Sequence, residues 1–261
     1  MLRALHTSAT GMDAQQTQID IIANNLANVN TTGFKKSRGE FQDLYYQQLR
    51  SASAADRGQS AAPIGLEVGQ GVRVMSSQKL FTSGDMQQTG NPFDLAIEGN
   101  GFFKVTQADG TPAYTRAGNF RVNGEGRVVT SDGNLVDPGI EIPADATEVV
   151  ISREGLVTAK RPGETDAAQI GEIQLATFQN PAGLKSLGRG LYEPTGASGE
   201  VVEGPPGKDG IGAVVQGQLE SSNVKVVEEM IDLISAQRAY EINSKVVQAT
   251  DQMLRDATTL R

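Results

Sequence analysis

Ser221-Ser222-Asn223-Val224-Lys225-Val226-Val227-Glu228-Glu229-Met230-Ile231-Asp232-Leu233-Ile234 opens the stretch whose reading decides the fold. Val226, Leu233, Tyr240, Val247 and Leu254 recur at heptad spacing, and Leu219 stands one heptad earlier. All are apolar, so the pattern predicts an amphipathic helix with a coiled-coil seam. Met230, Ile231 and Ile234 widen the stripe in its first half, and Val246 and Met253 widen it on the other flank later. Ser221, Ser222 and Asn223 offer N-cap side chains. Glu228, Glu229 and Asp232 sit early and Arg255 sits late, as a helix dipole favours. A helix over 224–260 would be about 55 Å long.

The opposite end carries a second pattern. Leu5, Met12, Ile19 and Leu26 are one heptad apart, and Ile22 and Val29 follow the last two by three residues. This predicts a helix over roughly 2–29 with an apolar seam in its second half. Ser8 and Gln15 hold the companion positions earlier, so the seam is polar there. The helix is expected to stop near Asn30-Thr31-Thr32-Gly33, where Gly33 can supply a left-handed residue. Polar seam residues fix register at some cost in stability. Gln15, Gln237, Asn24, Asn25 and Asn28 are candidates for that role, and local capping is an equal alternative for the asparagines.

Between the ends the text reads as β. Leu95-Ala96-Ile97-Glu98 and Phe102-Phe103-Lys104-Val105 flank a Gly-Asn-Gly turn. Asp109-Gly110, Asn123-Gly124 and Asp132-Gly133 predict hairpins with type I′ turns. Further strands are expected over 148–152, 156–158 and 170–178. Turn signals at this spacing suggest a small antiparallel sandwich or barrel. Residues 51–71, rich in Ala, Ser, Gly and Gln, and 194–212, with Gly204-Pro205-Pro206-Gly207, read as loops. The expected class is therefore α+β, with a mostly antiparallel β domain inserted between two terminal helices. The expected division is 1–33 and 219–261 as terminal helices, 34–90 and 196–218 as connector, and 91–195 as β domain.

Composition narrows the function. The 261 residues include no Cys and one His, and the net charge is −8. Disulfides, thiolate nucleophiles and Cys-based metal sites are excluded, and His6 alone cannot make a His pair. An acidic chain is a poor match for nucleic acid, which needs a basic face. The polar residues of Leu2-Arg3-Ala4-Leu5-His6-Thr7-Ser8 interrupt any secretory core, and no apolar run is long enough to span a membrane. Gly204-Pro205-Pro206-Gly207-Lys208 lacks phosphate-loop spacing, and Gly99-Asn100-Gly101 lacks the third glycine of a dinucleotide loop. No catalytic, cofactor-binding or metal-binding residue is expected.

Burying one seam residue is worth about 1.5–3 kcal/mol, whereas association costs about 4–15 kcal/mol in lost freedom. One helix pair barely covers that cost, and several neighbouring copies would cover it readily. Periodicity alone leaves two readings open. The ordinary one is a helical pair packed on the protein's own β domain. The other is an assembly whose core is built from these helices.

Three motifs favour the second reading. Asn24-Asn25-Leu26-Ala27-Asn28-Val29-Asn30-Thr31-Thr32-Gly33-Phe34-Lys35-Lys36 resembles the N-terminal signature of bacterial flagellar rod and hook proteins, in which Asn24, Asn25, Leu26, Asn28, Gly33 and Phe34 are the matching positions. Gln237-Arg238-Ala239-Tyr240-Glu241-Ile242-Asn243-Ser244-Lys245 resembles that family's C-terminal segment. Ile97-Glu98-Gly99-Asn100-Gly101-Phe102-Phe103 and Tyr114-Thr115-Arg116-Ala117-Gly118-Asn119-Phe120 are similar to its β-domain motifs. Asp43-Leu44-Tyr45-Tyr46-Gln47 and Gly65-Leu66-Glu67-Val68-Gly69-Gln70-Gly71-Val72-Arg73 resemble the distal-rod branch.

The resemblance implies a structural subunit without enzymatic activity. It implies export without a cleaved signal, through the flagellar type III apparatus, and polymerisation beneath a rod cap. The product would be a stiff helical tube across the periplasm that carries motor torque to the hook. The implied partners are further copies of the chain, the proximal rod and hook proteins, and the peptidoglycan and outer-membrane ring proteins. Neither nucleic acid nor direct membrane insertion is implied. The expected self-assembly interface comprises Leu5, Met12, Ile19, Ile22, Leu26 and Val29 at one end. At the other it comprises Leu219, Val226, Met230, Leu233, Tyr240, Val247 and Leu254. Two alternatives stand beside this reading: a proximal-rod or hook-type paralogue, and a β-domain cell-wall-binding module. The aromatic content of 5% and the lack of Trp weaken the second.

Overall fold

A computed structural model describes residues 2–50, 65–162, 167–208 and 210–259. Two helices bracket the chain, α1 (Leu2–Ala27) and α2 (Val226–Thr259), and the long elements between them are β. The fold is α+β, with an antiparallel β-rich region inserted between terminal helices. The chain forms two compact units. The first comprises 1–26, 37–78 and 225–261, and the second comprises 27–36 and 79–224.

In the first unit, strand Ser37–Asp43 pairs with Val72–Lys79, and Tyr46–Arg50 pairs antiparallel with Leu66–Gly69. The loop expected over 51–71 thus contains a strand, Leu66–Gly69, held by the ladder opposite it. Residues 51–64 lie outside the described residues.

The second unit is built on a nine-stranded sheet. Its path runs through Lys185–Gly188, Leu191–Glu193, Pro112–Thr115, Phe102–Thr106, Leu135–Val136, Val128–Val129 and Arg121–Val122. Leu175–Phe178 joins both Phe102–Thr106 and Val201–Gly204. A three-stranded sheet, Glu148–Ile151, Leu156–Lys160 and Ala168–Glu172, stands beside it. Alternation along Phe102–Thr106 divides the interior. Phe103 and Val105 enter a large aliphatic core, while Phe102 enters an aromatic cluster with Tyr114, Phe178 and Tyr192. Rings in that cluster meet edge to face at centroid distances of 5.0 to 5.9 Å.

Several local expectations change. The strands flanking Gly99-Asn100-Gly101 do not pair with each other: Leu95–Glu98 pairs with Ala213–Gln216 instead. The three hairpins are not type I′. Among the described residues only Arg189 has positive φ without being glycine, so Asp109, Asn123 and Asp132 keep ordinary conformations. The left-handed residues are Gly110, Gly126 and Gly133, each closing a four-residue turn. The physical reason is side-chain bonding. Asp109 Oδ1 accepts from Thr111 N, and Asn123 Oδ1 accepts from Glu125 N and Arg127 N, which stabilises a turn without φ reversal at the acidic or amide position. Val201–Gly204 also falls within the expected loop 194–212, because its ladder with Leu175–Phe178 supplies backbone partners before the prolines end it.

Candidate assembly surface

Within the first unit the helices meet on small and polar residues. α1 buries Ser8, Ala14, Ile22 and Asn25, and α2 buries Glu229, Ala236 and Thr250. Asn25 Nδ2 donates to Glu229 Oε2 at 3.1 Å and to the Ser37 carbonyl at 2.9 Å, while Asn25 Oδ1 accepts from Ser37 N at 2.9 Å. Gly11 lies so close to Asn243 that a Cβ there would stand 2.9 Å from Asn243 Nδ2. Absence of a side chain at Gly11 is what lets the helices approach at this level. Leu5, Met12, Ile19 and Leu26 are only half-buried, as are Leu233, Val247 and Leu254.

Helix α2 carries an apolar row besides the small and polar one it turns to α1. At 3.6 residues per turn, Val227, Ile231 and Ile234 form a row on the side away from Glu229 and Ala236, and Ile242 and Val246 continue it as a ribbon round the flank toward Thr250. That ribbon is exposed: Val227 is 71% accessible, and Ile231 and Ile242 are each 61% accessible. Met230, Met253, Val226 and Tyr240 are exposed too. An exposed apolar row on a helix whose small and polar row already faces α1 leaves room for a further neighbour. Sequence periodicity shows the widened stripe, but which row the chain spends on its own partner helix appears only in the fold.

Leu219 and Val29 belong to a different setting. Leu219 lies in strand Gln218–Glu220, paired with Met86–Gln88, because α2 begins only at Val226. Val29 follows the end of α1. Both are half-buried in the second unit. Asn223 does not cap α2 with its side chain. Its Oδ1 accepts from Lys36 N, and its Nδ2 donates to the carbonyls of Leu80 and Thr82.

The second unit contains a buried ion cluster that sequence reasoning missed. Lys35 Nζ donates to Glu220 Oε1 at 2.6 Å and to the Thr82 carbonyl at 2.8 Å. Arg116 Nε donates to Glu220 Oε2 at 2.7 Å, and its two terminal nitrogens donate to the carbonyls of Gly101, Gly99 and Ile97. Gly84 N adds a 3.0 Å bond to Glu220 Oε1. All three charged side chains are buried. Burial acts to raise the Glu220 carboxyl, but Arg116 first and Lys35 next outweigh it and hold its pKa below the ordinary value. Lys35 shares its anion with Arg116, so burial pushes its ammonium pKa down. Gly33, in the same strap, has φ +67°, and a Cβ on it would stand 2.7 Å from the Arg116–Ala117 backbone. The arrangement joins two of the family-like stretches, with Lys35 from the N-terminal one and Arg116 from the middle one, to Glu220 in the strand just before α2.

Comparison with known proteins finds relatives along the whole chain. Residues 5–35 match the family described as flagella basal body rod protein, and 96–159 match the flagellar hook protein FlgE/F/G D1 domain. Residues 215–260 match the flagellar basal body rod FlgEFG protein C-terminal family. The flagellar basal-body rod protein FlgG of Borreliella burgdorferi is 46% identical, covering 100% of this chain and 99% of the relative. FlgG of Caulobacter vibrioides is also 46% identical, over 100% of both chains. FlgG of Bacillus subtilis is 40% identical over 100% of both. The chain belongs to the flagellar basal-body rod protein family. Besides the ribbon on α2, the first unit exposes Tyr45, Tyr46, Leu49 and Leu66. No helix among the described residues is long and apolar enough to cross a membrane, and no metal-holding cluster occurs among them.

Proposed function

We propose that the chain is the structural subunit of the flagellar distal rod, in the basal body, and that it polymerises into a stiff helical tube carrying torque to the hook. Residues 1–33 and 219–261 act as its assembly core, 34–90 and 196–218 as connector, and 91–195 as the β domain. The observation that carries this reading is the apolar ribbon of α2, exposed outside the row spent on α1, in a chain that aligns end to end with rod proteins. Full burial is worth about 1.5–3 kcal/mol per large apolar side chain. Five such residues from each copy therefore exceed the association cost at the low end of about 4–15 kcal/mol.

A torque-bearing shaft must resist slippage between subunits. Interdigitated apolar rows do so because a shift moves every side chain out of its pocket. The chain's contacts in this reading are with further copies of itself along the tube and with the proximal rod and hook proteins at its two ends. Peptidoglycan and outer-membrane ring proteins surround it, and the rod cap and type III export apparatus act during assembly. Its role is mechanical, with no enzymatic step. The cell-wall-binding alternative loses its footing in the β unit. Every Phe and Tyr of the described second unit is buried or half-buried, so none forms an open stacking platform.

Concentrating the purified chain tests the proposal. Sedimentation and electron microscopy are expected to show rods or filaments above a threshold concentration. The double variant Ile231→Asp, Ile242→Asp is expected to stay monomeric with its β unit intact. Filaments from the double variant would refute the role given to the ribbon.

A further inference from the structure

Two helix-to-helix contacts of the first unit share one register. Asn25 meets Glu229, and Gly11 meets Asn243. Gly11 and Asn25 are two heptads apart on α1, and so are Glu229 and Asn243 on α2. The helices run antiparallel there, so both contacts recur at the heptad repeat of one pairing. The same register sets Gln18 opposite Ala236 and Gln15 beside Tyr240. Gln18 Oε1 is buried without a hydrogen-bond partner.

This is a costly way to join two helices. Asn25 and Glu229 bury polar groups at the contact that must give up water. A carboxylate in the seam adds desolvation. Apolar rows lie one step to the side on both helices and would pair more tightly. A one-heptad slip would keep those apolar rows in contact, because their repeat is the same. It would instead separate Asn25 from Glu229 and set a side chain against Asn243, whose amide would have to swing aside.

We infer that Asn25–Glu229 and Gly11–Asn243 form a two-point register key, which holds the chain's own helix pair in one phase and keeps the apolar ribbon of α2 free for a second copy. These are positioning residues: they set which face is presented rather than contacting the second copy. The last part rests on the assembly reading above. A chain that holds its register yet never polymerises would overturn that reading and leave the key standing.

The chain has no cysteine, so engineered pairs report register without interference. One pair is Gln15→Cys with Tyr240→Cys, in register, and the other is Gln15→Cys with Val247→Cys, slipped by one heptad. In the otherwise native chain the in-register pair is expected to close intramolecularly at least about tenfold faster. Adding Asn25→Leu, Glu229→Leu and Asn243→Leu removes the key while keeping helix formers in place. In that background the slipped pair is expected to close within about threefold of the other, with helix content by circular dichroism maintained. Restoring Asn25 and Glu229 together is expected to recover most of the discrimination, and restoring either alone is not. If the slipped pair stays tenfold slower without the key, apolar packing sets the register and the inference fails. It fails equally if both pairs, or neither, close in the native background.

Discussion

Lys35 Nζ and Glu220 Oε1 stand 2.6 Å apart, sealed from solvent, although 185 positions separate them in the chain. Arg116 holds the other oxygen of the same carboxylate. One anion thus serves two cations, and the strap after α1, a β-domain loop and the strand before α2 are fixed to a single point. Breaking a buried pair by removing one member costs about 3–5 kcal/mol, because the remaining charge loses its partner.

The two ends of this pair are not equivalent. Glu220→Gln leaves two buried cations without an anion and is expected to lower stability by about 3–5 kcal/mol. Lys35→Met leaves the Arg116–Glu220 pair whole and is expected to cost clearly less. Urea denaturation followed by a β-unit probe measures both, and an equal or reversed order would contradict the shared-anion account.

The pH dependence follows from the same site. Glu220 has a folded pKa below its ordinary 4.5, so the unfolded chain takes up the proton first as pH falls. Its stabilisation is complete above about pH 4.5 and is lost as pH drops through the lower folded value. Lys35 also has a folded pKa below its ordinary 10.5, so it too makes stability rise with pH, but in the alkaline window between its folded value and 10.5. Comparing melting temperatures across pH for the native chain and Glu220→Gln is expected to show the acid slope flattened in the variant.

Gly33 supplies a sharper steric test. A side chain there would meet the backbone of Arg116 and Ala117 at 2.7 Å while adopting φ +67°. Gly33→Ala is expected to cost at least about 1–3 kcal/mol from backbone strain and to release the strap that carries Lys35. Amide exchange would show it as lost protection at Gly33, whose N donates to the Glu220 carbonyl at 2.8 Å, with Val105 in the core unaffected.

In the isolated chain α2 has a partner on one side only. Amides of its exposed half are expected to exchange faster than those of the strand Phe102–Thr106 by several orders of magnitude. Uniform protection across both would mean that the helix is already fully supported without other copies.

Much of the architecture was legible. Heptad spacing located both helices because a 3.6-residue period leaves a mark that no tertiary context erases. Short apolar runs between glycines located most strands. The boundaries were less so. Leu219 fits the heptad row yet lies in a strand, since its backbone pairs with Gln87 and periodicity cannot see a ladder. The hairpin turns were misread because Asp109 and Asn123 bond locally through their side chains, which a dipeptide rule ignores. For the site, apolarity marked the exposed row of α2 but could not show that α1 takes the small and polar row instead. That depended on the small residues Gly11 and Ala236, which carry no hydrophobic signal. Lys35, Arg116 and Glu220 read as ordinary charged residues because their meeting is a product of the whole fold.

Thiol labelling at Ile231→Cys and Ile242→Cys tests the assembly claim most directly, since each position is open in the single chain and lies on the ribbon said to be covered by a neighbour. Both are expected to react with a soluble maleimide at near free-thiol rates in the monomer and at least about tenfold more slowly in assembled rods. Equal labelling in the two states would contradict the account.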